Sequence, residues 1–233
     1  MVNQTGKCPE QPPPRQLRAA GKNLTSCTCI PLNPDTVEAT ARLYTEVFVR
    51  EESTTRWHGI IEEDFLPFAR MYVQFCENQG LSFIAHEEKT GEVIGFIICH
   101  DLTMDLDALG PAMQEYLSCF DATIQLISAL EEKYLNIIPV TPGTALHVYQ
   151  LGISREFQNR LVSTPLIRHM LASARERGFH TIVTDCTGPG SCRSFEKCGF
   201  TRAGSIAYSS FLVSGTAFFD GFEGEITLMV KVL

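Results

Sequence analysis

Apolar positions three and four residues apart alternate along this chain with short runs that alternate or cluster, the pattern of interleaved helices and strands. Residues 24–32 alternate as an edge strand. Asn33-Pro34-Asp35 then caps a helix over about residues 36–49, whose inner face carries Val37, Ala41, Leu43, Tyr44 and Phe48. A second helix is predicted over residues 62–77, closed by Asn78-Gln79-Gly80. Residues 81–85 and 92–99 read as a hairpin turning at residues 88–91. After a loop over residues 101–110 with three aspartates, Pro111 opens a long helix to about Tyr134, with Met113, Leu117, Phe120, Ile124, Ile127 and Leu130 at helical spacing. Residues 136–144 lead into an apolar strand, Ala145–Ile153, and a polar loop over residues 154–163. Thr164 and Pro165 are the expected cap and first residue of the next helix, with Leu166, Ile167, Met170, Leu171 and Ala174 on one face. A strand over residues 179–185, a short helix after Gly188-Pro189-Gly190, and strands near residues 202–213 and 225–232 complete the series.

This order predicts an α/β (α+β) fold, a mixed twisted sheet covered by helices. A length of 233 residues suits one domain, and no repeat or interdomain linker interrupts residues 23–233. Residues 1–22 are polar and carry Pro9, Pro12, Pro13 and Pro14, which predicts an unpacked, flexible tail.

Composition narrows the function. A net charge of −8 argues against a nucleic-acid binder working through a basic surface. The nine cysteines form no Cys-x-x-Cys pair and several sit in apolar runs, so they read as reduced thiols in a cytoplasmic protein. Apolar runs are too short to span a membrane, and no secretory signal is evident, so no membrane partner is expected. In that setting the glycosylation patterns at Asn3 and Asn23 carry no meaning.

The chemistry gathers in residues 145–200. A strand feeding a helix through a tight loop aims unpaired N–H groups and a positive helix end at one point, which suits a phosphate. The closing Phe195-Glu196-Lys197-Cys198-Gly199-Phe200 resembles the ending of the GNAT family of acetyl-CoA-dependent N-acetyltransferases, with Phe195 where tyrosine is common. The resemblance implies a mostly antiparallel sheet whose central strands splay apart to admit the coenzyme arm. It implies a backbone contact from Leu151, Gly152 and Ile153 to acetyl-CoA. The family's loop, Arg/Gln-x-x-Gly-x-Gly/Ala, falls on Gln158, Asn159, Arg160, Leu161, Val162 and Ser163, followed by Thr164. Leu161 stands where glycine is expected, so either the turn differs or a leucine holds a strained positive φ. Arg155, Arg160 and Arg168 add positive charge nearby, or form a solvated basic face.

From residue 36 onwards the layout also resembles the insect arylalkylamine N-acetyltransferases, through residues 46–52, 91–95, 131–134 and 187–200. That resemblance implies Glu52 as general base, with Thr187 and Ser191 serving catalysis or binding. An alkylammonium with a pKa of about 10 must lose a proton before it attacks a thioester, and a carboxylate can take it. A hydroxyl such as Ser191 can protonate the leaving thiolate in place of the tyrosine lost at Phe195. The expected reaction is direct transfer of acetyl to a small primary amine in a ternary complex, by a monomer or homodimer. Trp57, Phe65, Phe68, Tyr72 and Tyr208 are candidate pocket aromatics. Each assignment has a structural rival: surface charge at Glu52, with Glu51 as substitute; helix capping at Ser191 and Thr187; core packing at His147 and Tyr149; a structural role at Asp185. Cys186 and Cys192 show no spacing to a histidine that marks a nucleophile. His86, His100, His147 and the aspartates of residues 101–107 make no metal motif, so no metal is expected. Two other functions fit the same fold, a non-catalytic acyl-CoA-binding regulatory module and an acetyltransferase of protein or peptide amines.

Overall fold

Where apolar residues alternate between two faces, both faces of a strand must be covered, and the central strands here are covered on both sides. The structure, a computed structural model, describes residues 26–135 and 140–233. The tail expected over residues 1–22, the opening of the strand expected from residue 24, and residues 136–139 of the link lie outside the described residues. Seven strands form one sheet in the order β1-β2-β3-β4-β5-β7-β6. They are β1 (Cys27–Pro31), β2 (Phe83–Glu87), β3 (Val93–Asp101), β4 (Ala145–Ile153), β5 (Thr181–Cys186), β6 (Thr201–Ala207) and β7 (Glu225–Val232). Every neighbouring pair is antiparallel except β4 and β5, so the expected mixed, mostly antiparallel sheet is what forms.

Helices α6 (Ser163–Glu176) and α7 (Pro189–Glu196) cover one face, burying Leu166, Ile167, Met170 and Phe195 against Ile97, Val148 and Ile182. The other face is shared. Helices α1 (Val37–Glu51), α3 (Glu62–Gln79) and α4 (Pro111–Cys119) pack on Ile84, Phe96 and Ile98, and α5 (Asp121–Leu135) packs on Val183, Leu228 and Val230.

Three boundaries differ from the sequence reading. The long helix expected from Pro111 is two helices, broken at Phe120, whose N–H turns back to the carbonyls of Leu117 and Ser118. Apolar spacing stays in phase across the break, so periodicity cannot see it. A helix α2 (Ser53–His58), which the sequence reading leaves out, follows α1. Its polar run has no apolar stripe, and its cap is the Glu52 side chain, a residue type outside the usual capping set. The strand expected to Val213 ends at Ala207, where Tyr208–Ser210 forms a tight turn.

The feature that makes a site lies in mid-sheet. β3 and β4 change register between Ile98 and Cys99: Ile98 faces Gln150 and Cys99 faces Val148, leaving Tyr149 unmatched. Such a bulge bends and overtwists its strand. β4 accordingly pairs with β5 at only three positions, Ala145↔Thr181, Leu146↔Ile182 and His147↔Val183. Beyond His147 the two strands run on apart, which is the splay the resemblance implied. Gly152 lies in this free stretch because a Cβ there would come within 2.2 Å of the Phe96 ring.

Candidate active site

The wedge between β4 and β5 opens into a cavity of about 620 Å³, a size suited to small molecules. One half is built from the free end of β4, the following loop and the start of α6. Leu151, Gly152, Ile153 and residues 158–164 all line it, so the structure brings together every residue expected to meet acetyl-CoA. Asn159 and Leu161 have φ of 60° and 64°. The loop therefore keeps the left-handed turn for which glycine is suited, and Leu161 bears the strain. Its side chain is 51% exposed, so it stands at the rim and does not plug the wedge.

Helix α6 begins at Ser163, one residue before the expected cap at Thr164. Val162 holds the cap position and makes no side-chain capping bond. No acidic residue lies in the first turn, so the positive end of a 14-residue helix faces the cavity uncompensated. Gln158 anchors the loop by donating its amide to the Glu51 carboxylate and, at 3.4 Å, to the Ile153 carbonyl. Arg160 lies over the Phe157 ring at 5.3 Å.

Replacing Leu161 by glycine should stabilise the protein by about 1 kcal/mol. Relief of a left-handed leucine is worth roughly 1–2 kcal/mol, and the freer unfolded chain takes back roughly 0.4–1 kcal/mol. Urea denaturation reads this directly, and an unchanged or lower midpoint would show that the turn is not strained.

The other half is aromatic: Tyr44 and Phe48 from α1, Phe65 and Phe68 from α3, Tyr116 from α4 and Phe120 at the break that follows it. Of the aromatics expected there, only Phe65 and Phe68 line the cavity. Trp57 stacks on Phe222 at 4.8 Å and donates its indole N–H to the Phe218 carbonyl. Tyr72 is buried against Phe68, and Tyr208 donates its hydroxyl to the Thr187 carbonyl at 3.0 Å. The lining rings that the sequence reading missed include two i, i+4 pairs, Tyr44/Phe48 and Tyr116/Phe120. Their spacing marks a helix face but cannot say whether that face meets core or cavity.

Glu52 sits where α1 turns into α2, between the two halves. Its carboxylate accepts from the backbone N–H of Thr54 (3.0 Å) and Thr55 (2.6 Å) and from both their hydroxyls (2.8 and 2.7 Å). Thr187, just beyond the end of β5, donates its hydroxyl to the same carboxylate at 2.6 Å. The structure thus joins two of the expected catalytic residues, 135 positions apart in sequence. Glu51, the alternative base, is turned instead to Gln158 in the loop before α6. Ser191 also lines the cavity, but its hydroxyl donates to the Gly188 carbonyl at 2.8 Å, within the first turn of α7.

His147 and Asp185 share the cavity wall where the wedge closes. His147 Nε2 lies 2.9 Å from Asp185 Oδ2, and the two side chains are only 6% and 5% exposed. Cys186 and Cys192 are buried and free, on the far side of β5 with α6 and α7.

Residues 46–200, from α1 through the wedge and loop to the end of α7, match the model of the acetyltransferase (GNAT) family. The chain belongs to that family. GNAT proteins take acetyl-CoA as co-substrate, and the matched span holds Glu52, Thr187 and the whole loop. Solved GNAT-like structures agree in fold. The C-terminal condensation domain of Ebony, in complex with beta-alanyl-dopamine, superposes with a TM-score of 0.72 at 16% identity, covering 90% of this chain and 100% of that one. Arylalkylamine N-acetyltransferase 2 from Aedes aegypti gives 0.72 at 17% identity, with coverage of 88% and 98%. The polyamine N-acetyltransferase of Drosophila melanogaster, described as forming N-acetylagmatine, gives 0.66 at 17% identity, with coverage of 89% and 100%. No described helix is long and apolar enough to cross a membrane.

Proposed function

We propose that this GNAT acetyltransferase moves the acetyl group of acetyl-CoA directly onto the nitrogen of a small primary amine with an apolar, arylalkyl-like body. The observation that carries the reading is one cavity holding both ends of the reaction, an uncapped helix start for phosphate and a Glu52–Thr187 pair beside an aromatic chamber. The uncharged rings of α1, α3 and α4 favour an apolar amine body over a polar peptide. The arylalkylamine and polyamine enzymes that share the fold act on small amines, and of the two the aromatic chamber matches the arylalkylamine kind.

In this reading the α6 terminus and the loop N–H groups bind the diphosphate. The arm runs along β4, whose backbone at residues 151–153 has no strand partner on the β5 side. Backbone groups there hold the arm, and an N–H nearer His147 on the same unpaired stretch polarises the thioester carbonyl as charge builds on its oxygen. The acceptor arrives as an ammonium. Thr187 already gives its own proton to Glu52, so its oxygen can take the acceptor's proton as it passes one to the carboxylate. The free nitrogen then attacks, and the tetrahedral adduct collapses as its nitrogen releases a second proton to solvent and the CoA thiolate departs. Ser191 holds the turn that places Thr187. We assign this work to a single unit over residues 23–233, acting in the cytoplasm as a monomer or homodimer.

The test is release of free CoA from acetyl-CoA by purified protein across a panel of phenylethylamines, indolethylamines, aliphatic diamines and an N-terminal peptide. Turnover is expected with small apolar amines. Tight CoA binding without turnover on any amine would leave the non-catalytic module as the answer, and turnover on the peptide alone would leave the protein-modifying one.

A further inference from the structure

Direct transfer leaves a thiolate that needs a proton, and the residues so far assigned do not supply one. Phe195, in the position where the family commonly has tyrosine, is buried against the Phe200 ring at 5.0 Å and carries no hydroxyl. The Thr187 hydroxyl is committed to Glu52 and the Ser191 hydroxyl to the Gly188 carbonyl. Burial pushes the phenols of Tyr116 and Tyr149 well above the ordinary tyrosine value, which makes them poor acids.

His147 is placed differently. It is the last residue of β4 that pairs with β5, so it marks the closed end of the wedge. The six steps along the strand from Ile153 back to His147 span roughly 20 Å, the scale of an extended pantetheine arm anchored at the α6 start. Its Nε2 is held by Asp185, which makes Nδ1 the nitrogen left for chemistry. Resting on the acetyl-transfer reading above, we propose that His147, oriented by Asp185, is the general acid that protonates the sulfur of departing CoA. As the carbon–sulfur bond breaks, its electron pair goes to sulfur. The Nδ1–H bond breaks and an S–H bond forms. Neutral imidazole keeps its Nε2 proton on Asp185 and regains the other from water between turnovers.

The surroundings favour this role. Asp185 Oδ1 and Glu131 Oε1 are buried without hydrogen-bond partners, and a ring nitrogen of His147 and one carboxylate oxygen each from Glu131 and Asp185 lie within 4.8 Å of one another. Two carboxyl groups therefore face one imidazole. Burial works against the imidazolium, but the hydrogen bond and charge of Asp185, with Glu131 behind it, outweigh burial and raise His147 above its usual value. Burial, with Asp185 adding to it and His147 opposing it, raises Glu131 as well. From β3, His100 meets the His147 ring at 5.4 Å. Burial and the nearby His147 charge lower His100 to about 4, so it stays neutral and does not compete for the proton. Tyr149 packs at 5.4 Å along β4, and Tyr72 of α3 lies behind it.

The acid form is present below the raised pKa and lost as pH climbs through it, so kcat should show an alkaline limb set by His147. His147→Gln should lower kcat about 100-fold and abolish that limb, with acetyl-CoA affinity unchanged. Asp185 is a positioning residue, and Asp185→Asn should move the limb to lower pH. A second measurement needs no variant. In the wild-type protein with 15N-labelled histidine, the His147 resonance should titrate differently with CoA bound than with desulfo-CoA bound. Wild-type turnover that His147→Gln matches within twofold, or identical titrations with the two ligands, would overturn the assignment while leaving the acetyl-transfer reading intact. A wild-type protein that releases no CoA with any amine removes that reading itself.

Discussion

Glu52→Gln is expected to lower kcat/KM for the amine by about 10²–10⁴-fold, the usual worth of a positioned general base. CoA affinity should hardly move, because the α6 start and the loop that would bind it touch Glu51, not Glu52. The amide cannot take up the acceptor's proton, and its NH2 faces donors: two backbone N–H groups and the hydroxyls of Thr54, Thr55 and Thr187. Some stability must go with activity, since Glu52 also caps α2, and a lost cap costs about 0.5–2 kcal/mol. Thr187→Val separates the two roles, because it leaves the cap and removes only the relay. If relay and base act as a unit, the double variant should be little worse than Glu52→Gln alone. Steady-state kinetics on the three variants decides the matter, and a Glu52→Gln enzyme within threefold of wild type would end the assignment.

The second large effect is on stability. Phe96→Ala should cost about 3–5 kcal/mol, as for other fully buried phenylalanines. Phe96 is completely buried, edge-on to Tyr44 at 5.5 Å, with its ring lying over Gly152. Gly152→Ala attacks the same contact from the other side, placing a methyl 2.2 Å from a ring carbon, and overpacking of this kind costs about 1–3 kcal/mol. Because each change alters the space the other needs, the two should not add. The methyl partly fills the cavity left by the ring, so the double variant should be more stable than the sum of the singles implies. Chemical denaturation of all four proteins tests this, and strict additivity would mean that the ring and the strand do not touch as described.

Most of the architecture can be read from residue order. β4 and β7 begin and end where alternation and turn residues place them, and Gly80 closes α3 in a left-handed cap as its position implies. The break at Phe120 and the helix at residues 53–58 could not be read, for different reasons. One keeps the apolar phase unchanged across a discontinuity. The other is short, polar and capped by a side chain that rarely caps. The half of the cavity built from the end of β4, the loop and the α6 start was legible because these pieces are contiguous in sequence. The Glu52–Thr187 bond needed the resemblance to pair its partners, since nothing local marks residues 135 positions apart. His147 and Asp185 looked like packing because burial and alternation are the same for a core histidine and one on a cavity wall. Only the register at Tyr149, which no propensity encodes, tells them apart.

That register has a further implication for how such a crevice arises and is lost. Its existence depends on the count of one residue: with Tyr149 deleted, Cys99↔Val148 and Ile98↔Gln150 would become consecutive pairs, the bulge and its bend would go, and Leu151 and Ile153 would keep the face they share with Val148. The deletion would straighten β4 and remove the local bend that carries it away from β5. Within this fold, then, one inserted residue bends a strand and opens a crevice beside it, and no change in residue chemistry is required.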